Sequence, residues 1–203
     1  MTPSSIIAVF DFDHTLTDCD SLLPFLCYIQ GIWKASYHLA ALSPAFFRFF
    51  AGSLSRQEIK EKILTRFLGG CSFADVQALG ENYADRQLDH YLKPEALQRL
   101  LWHQVQGHRC LLVSASLEFY LKPWAKRHGF EEVIASRLEL TSRGLVTGKL
   151  AGLNCWGPEK ERRLLAYLGA KPKESYELYV YGDSRGDQEI LALADHPFYR
   201  RFQ

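Results

Sequence analysis

Four aspartates and a serine in this 203-residue chain stand where short apolar runs stop. Asp11 and Asp13 follow the run 6–10, Ser114 follows the run 110–113, and Asp183 and Asp187 bracket the turn GDSRGD after residues 178–181. Crowded carboxylates repel one another unless a cation neutralises them. A donor set made only of oxygen suits a hard ion such as Mg²⁺, and the lack of His and Cys in it argues against zinc. Ser114 and Lys160, the latter near the start of an expected helix, supply a hydroxyl and an ammonium that can hold an anion. Together these groups describe phosphoryl transfer: a metal bridging nucleophile and phosphate, with lysine balancing charge on the phosphoryl oxygens. Taken singly, each has a plainer role. Asp13 can cap the following turn, Asp187 can cap the last helix, and Lys149 competes with Lys160 for the basic role. Thr15 and Ser184 suit backbone organisation.

The elements that must position these groups follow from hydrophobic pattern and punctuation. Strands are expected at 6–10, 110–113, 132–135 and 178–181, with a hairpin over 138–150 around Gly144 and Gly148. Helices are expected over much of 20–92, from Pro94 to Gly107, over 118–128, 158–168 and 188–193. Ser55 and Glu58 form a capping box before Ile59, Ile63, Leu64 and Phe67. A strand, a long helical insert, then alternating helix and strand favours an α/β fold, a Rossmann-like parallel sheet flanked by helices. The division expected is a core of 1–18 plus 93–203 and a helical cap of 19–92, lying over the carboxyl ends of the strands, where open sheets bind ligands.

With those positions in hand, the chain resembles the haloacid dehalogenase superfamily phosphatases, in the phosphoserine-phosphatase-like branch (subfamily IB) that inserts a helical cap after the first motif. D-x-D-x-T is present as Asp11-Phe12-Asp13-His14-Thr15, the serine motif as Ser114 in LLVSAS, the lysine as Lys160 in CWGPEKERRL, and GDSxxD as residues 182–187. The resemblance implies that Asp11 attacks phosphorus and forms an aspartyl-phosphate, and that Asp13 serves as acid and then base. It further implies Mg²⁺ held by Asp11, the Asp13 carbonyl and Asp183, with Asp187 a ligand or a holder of metal-bound water, and the phosphoryl group held by Ser114 and Lys160. Asp20 stands where phosphoserine phosphatases carry a glutamate that meets the substrate amine; capping the next helix is its other role.

Composition narrows partners. Lys plus Arg (24) nearly equals Asp plus Glu (23), which argues against a nucleic-acid binder. Five cysteines, odd in number and without a CxxC pair, suit a reducing compartment, and a cytoplasmic location is expected. Residues 22–51 are nearly all apolar, carrying only Lys34 and Arg48 as full charges and interrupted by Pro24, Gly31 and Pro44. They read as a pair of core-packing helices, or as an interfacial hairpin giving peripheral contact with the inner face of a membrane. The FFRFF run is expected in the core. His103, His108 and Cys110 are expected to scatter, without a metal. The substrate is accordingly either a lipid phosphate such as phosphatidylglycerophosphate or a small soluble ester such as phosphoserine. Phosphotransfer to an alcohol, and a non-catalytic membrane-surface or partner-binding module, are the alternatives.

Overall fold

Residues 7–10 of β1 (Ser5–Phe10) are buried without interruption, as a central parallel strand covered on both faces requires. In the computed structural model, which describes residues 5–169 and 175–202, β1 pairs in parallel with β2 (Arg109–Leu117) and with β6 (Tyr176–Gly182). β3 (Glu132–Ser136) and β7 (His196–Tyr199) complete the sheet order β3-β2-β1-β6-β7, all parallel. The period-2 alternation of strand side chains splits the core in two. Ala8, Phe10, Leu112 and Tyr181 belong to one apolar cluster, and Ile7, Val9, Leu111, Val113, Leu178 and Val180 to the other. Helices α6 (Pro94–Val105), α7 (Glu118–Arg127), α8 (Pro158–Leu168) and α9 (Gln188–Ala192) join these strands. The expected α/β architecture is the one found.

Three local differences matter. β2 runs on past Ser114 to Leu117, with a register irregularity between the two, so Ser114 lies within a bulged strand rather than at its end. β7 has no counterpart among the expected strands; its four residues include Pro197 and alternate between half-buried and exposed, a pattern confined to sheet edges. His103 and His108 do not scatter. Their Nδ1 atoms lie 2.8 Å apart, and Tyr181 OH sits 2.9 Å from His103 Nε2, because α6 packs its last turn directly on β6.

Between β1 and α6 lie α1 (Leu22–Gln30), α2 (Ile32–Ala41), α3 (Ser43–Phe50), α4 (Arg56–Leu68) and α5 (Phe73–Arg86). Both ends of this insertion are tied together: Asp18 N donates to Tyr91 O and Lys93 N to Leu16 O, each at 2.9 Å. The Ser55–Glu58 capping box opens α4 as expected. Residues 22–51 are three short helices rather than a pair, and α1 packs Leu22, Phe25 and Leu26 into the core as expected. Gly31, at φ 76°, ends α1, and Pro44 starts α3. Ala35 is the one buried residue of α2, and α3 buries none. The FFRFF run, expected in the core, is split: Phe46 and Phe49 are half-buried against the core at the rim of a cleft, whereas Phe47 and Phe50 are exposed. No helix among the described residues is long and apolar enough to cross a membrane.

The insertion is clasped by the hairpin of β4 (Leu138–Leu140) and β5 (Val146–Leu150). Val146 N donates to Cys71 O at 2.9 Å and Gly70 N to Val146 O at 2.8 Å. Gly148, at φ +88°, presses on α4 so closely that an added Cβ would stand 2.3 Å from Thr65 Cα. Gly148→Ala is expected to destabilise the protein by about 2–4 kcal/mol, combining positive-φ strain with a clash against helix backbone. Urea unfolding checks this. A loss below about 0.5 kcal/mol, the range of an ordinary surface change, would show that α4 is free to back away.

Candidate active site

At the carboxyl end of β1 the ladder to β6 continues by one bond, Asp11 N donating to Tyr181 O at 2.9 Å. The chain then enters a distorted turn over Phe12–Leu16, in which Asp13 is extended (φ −66°, ψ 131°) and His14 has φ 59°. That turn sends the two aspartates to different surroundings. Asp11 accepts a bond from Lys160 Nζ at 2.6 Å, and the same ammonium reaches Asp187 Oδ1, also at 2.6 Å. All three groups are buried. Asp13 instead accepts from Ser21 N at 2.8 Å and from Ser116 Oγ. Ser21 Oγ in turn lies 3.0 Å from Ser116 Oγ and 3.1 Å from Tyr120 OH, while Tyr83 OH donates to the Ser21 carbonyl at 2.9 Å. Asp13 thus sits in a polar network that joins the insertion to β2 and α7.

The GDSRGD turn brings up the other acids. Asp187 Oδ2 accepts from Ser184 N at 3.0 Å and Ser184 Oγ at 2.8 Å, so it braces its own loop rather than capping α9. A Cβ on Gly182 would meet Asp187 Cβ at 2.6 Å; only glycine lets the acid fold back this far. Thr15 Oγ1 lies 3.2 Å from Asp183 Oδ1 and 3.3 Å from Asp11 Oδ2, so it links the two acids, a more direct part than backbone organisation. Oxygens of Asp11, Asp183 and Asp187 all fall within 4.8 Å of one another. The Asp13 carboxylate is turned to its serines and lies outside this group of oxygens.

Burial pushes the Asp11 carboxyl up to about 7; Lys160 opposes that push and Asp187 adds to it. Burial by itself would depress Lys160, but Asp11 and Asp187 outweigh it and hold the ammonium charged. One cation for three acids leaves the cluster short of positive charge, and a divalent ion on these oxygens would relieve the excess. The donor set fits Mg²⁺. Asp13 is raised to about 6, chiefly by burial with repulsion from Asp20, against hydrogen bonds from Ser116 and Ser21.

Ser114 is buried, and its Oγ accepts from Ser116 N at 3.0 Å. Asp20 Oδ1 accepts from Leu22 N at 2.8 Å, capping α1; Asp20 also lines the cleft. Lys149 is exposed on β5, apart from the acids. Lys160 is the lysine that reaches them. The cleft that contains Asp11, Asp13, Ser114, Lys160 and Asp183 has a volume of about 380 Å³. Its outer wall comes from Phe46, Phe49 and Phe50 of α3 and from Arg56, whose guanidinium lies 4.9 Å from the Trp156 ring centroid. Sequence patterns passed over Lys60. From α4 it donates to Ala115 O and, at 3.1 Å, to Asn154 Oδ1, and burial pushes it down to about 8 against the pull of Asp13 and Asp20. They also passed over Ser21 and Ser116. The S-x-S spacing in LLVSAS was the available signal for Ser116; nothing local marked Lys60.

Acids, a buried lysine and a serine gathered on the carboxyl side of a parallel sheet are the groups that phosphoryl transfer uses. A profile of the haloacid dehalogenase-like hydrolases matches residues 8–192, and the chain belongs to that family, as one of its phosphatases. Protein CicA of Caulobacter vibrioides is 30% identical over 98% of this chain and 87% of its own. The histidinol-phosphatase of Neisseria meningitidis serogroup C is 27% identical over 94% and 88% respectively. A crystal structure of a protein of unknown function from Bordetella pertussis Tohama I, 25% identical, superimposes with a TM-score of 0.77 over 93% of this chain and 86% of that one.

Proposed function

We propose that the enzyme hydrolyses phosphate monoesters through an aspartyl-phosphate on Asp11, with Mg²⁺ as cofactor and the 19–92 insertion as its cap. One observation carries this reading: two aspartates two residues apart line one cleft with different partners. Asp11 is bound by Lys160 beside Asp187 and Asp183, whereas Asp13 is held by the Ser21 N–H and the Ser116 hydroxyl, apart from that cluster. The carboxylate beside the ammonium suits the nucleophile, and the one held by hydroxyl and amide donors suits the proton carrier. An Asp11 oxygen bonds to phosphorus as the ester P–O bond breaks, and the departing oxygen takes the Asp13 proton. A water then gives its proton to Asp13 while its oxygen bonds to phosphorus, the Asp11–phosphorus bond breaks, and inorganic phosphate leaves. Lys160 and Ser114 hold the phosphoryl oxygens. Asp11, Asp183 and the Asp13 carbonyl would hold Mg²⁺, with Asp187 as a further ligand or the holder of its water, and the ion would neutralise charge during the transfer.

For the substrate we favour a small ester whose alcohol carries an amine. The second oxygen of Asp20 accepts no hydrogen bond among the described residues, and Asp20 shares the cleft with aromatic rings. The Neisseria relative bears the name of an enzyme for such an ester. A lipid phosphate with peripheral membrane contact is the second reading, favoured by the exposure of Trp33 (87%), Phe47 (76%) and Phe50 (81%) beside that cleft. Between Asp20 and Glu58 there is no acidic residue at all, so this face suits an anionic bilayer. Phosphate release from histidinol phosphate, phosphoserine and phosphatidylglycerophosphate, each with Mg²⁺ and with EDTA, tests the set. The amine esters should be turned over at least about tenfold faster than the lipid, in line with one charge-assisted hydrogen bond, and EDTA should stop all turnover. Preference for the lipid, lost in Phe47→Ser/Phe50→Ser, would install the second reading.

A further inference from the structure

A cleft of about 750 Å³, roomier than the catalytic one, lies between α6 and the segment that follows β7. Its position at the carboxyl ends of β6 and β7 is where a parallel sheet presents helix and loop ends to a ligand. Lys93 and Arg99 come from the α6 side, Arg200 and Arg201 from the other. None of these four is in an ion pair with a carboxylate among the described residues, although Glu95 and Asp183 also line the wall. What they do contact is neutral. Lys93 donates to the His14 carbonyl, Arg200 Nε to the Asp183 carbonyl at 2.8 Å, and Arg99 Nε to Tyr181 OH at 2.6 Å. The Arg99 guanidinium is further held by aromatic faces, 4.3 Å from the Trp102 centroid and 5.3 Å from that of Phe198. Its terminal nitrogens make no hydrogen bond to the described protein.

Four cations against two acids leave the cleft with an excess of positive charge, and the cations keep donors available toward the shared space. A ring-lined wall, with Phe202 stacked on Tyr181 at 5.7 Å, offers flat apolar surface next to those donors. The volume falls within the range of small-ligand sites. We propose that this cleft is a second anion site, adjoining the phosphoryl-transfer centre through Asp183 and Thr15, that takes an organic phosphate with a planar portion, of nucleotide size. The phosphates meet Arg99, Arg200 and Arg201, and the planar portion lies against Trp102 and Phe202. Arg200 and Lys93, bonded to the carbonyls of Asp183 and His14, stand where the site meets the catalytic turn.

Calorimetric titration of ATP into the full chain, with EDTA present so that turnover does not intervene, tests this independently of the hydrolytic reading. One arm contains saturating tungstate to fill the catalytic phosphate position. Binding at micromolar to submillimolar ATP that survives tungstate, and that weakens at least about tenfold in Arg201→Glu, is the expected result. Each tenfold corresponds to about 1.4 kcal/mol, the scale of one lost charge-assisted contact made repulsive. Arg201 makes no hydrogen bond or ion pair among the described residues, so that variant should keep the wild-type melting temperature; Arg99→Gln is the second variant. Absence of binding, binding abolished by tungstate, or binding indifferent to both variants would each overturn the proposal.

Discussion

Replacing Asp11 by Asn is expected to cut phosphate release by about 10⁴-fold or more on every ester, whatever its leaving group, because an amide cannot form the covalent intermediate. Folding should survive the change. Asn keeps an acceptor for Lys160 Nζ, now 2.6 Å from Asp11 Oδ1, and removes one of the acids that crowd the cluster. Asp13→Asn makes the contrast. Its carboxyl is raised to about 6, so at neutral pH a useful fraction carries the proton that an alkoxide needs on departure. An aryl phosphate, whose leaving group is stable as an anion, needs little such help. The loss in Asp13→Asn should therefore be about 10²–10⁴-fold on alkyl phosphates and distinctly smaller on aryl ones. Steady-state kinetics on both substrate types reads the two variants together. An Asp11→Asn enzyme that still turns over aryl phosphate at a few per cent of wild type would remove the covalent role.

That pairing shows what a sequence can and cannot convey. Asp11, Ser114, Lys160 and Asp183 were legible because each follows or accompanies an apolar run that a parallel sheet buries, and the β-α alternation leaves little choice about which end of the sheet they share. The surroundings that divide Asp11 from Asp13 were not legible. They come from Ser116, which faces the cleft through the bulge in β2, and from Ser21 and Tyr83, contributed by the insertion. Such contacts depend on how the insertion docks, a long-range property with no local pattern. Lys60 is hidden for the same reason: on α4 it reads as one more charged residue of a capped helix, and only the tertiary structure aims it at the Ala115 carbonyl. The run 22–51 misled in the opposite direction. Its hydrophobicity resembles a core segment, yet Gly31 and Pro44 cut it into pieces too short to wrap the core. Most of the aromatic side chains of α2 and α3 therefore remain on the surface.

Lys160→Met carries the second large effect, on stability as well as turnover. The methionine fills similar volume but leaves Asp11 and Asp187, both buried and both 2.6 Å from the lost ammonium, without a counter-charge. Breaking a buried ion pair from one side costs about 3–5 kcal/mol, because the stranded partner has neither water nor cation. The sign of a metal effect follows. In the wild type one ammonium already offsets part of the charge on Asp11, Asp183 and Asp187, so Mg²⁺ adds modestly to stability. In the variant the same ion becomes the sole neutralising group, and millimolar Mg²⁺ should raise the melting temperature by a larger increment than in the wild type. Turnover should stay low in both conditions, since a metal on the carboxylates does not replace the ammonium expected on the phosphoryl oxygens. Thermal unfolding with Mg²⁺ and with EDTA separates these contributions. Equal increments in the two proteins would mean that the acid cluster is not where the ion binds, and a wild-type melting temperature for Lys160→Met in EDTA would mean that the acids shed their charge by taking up protons instead.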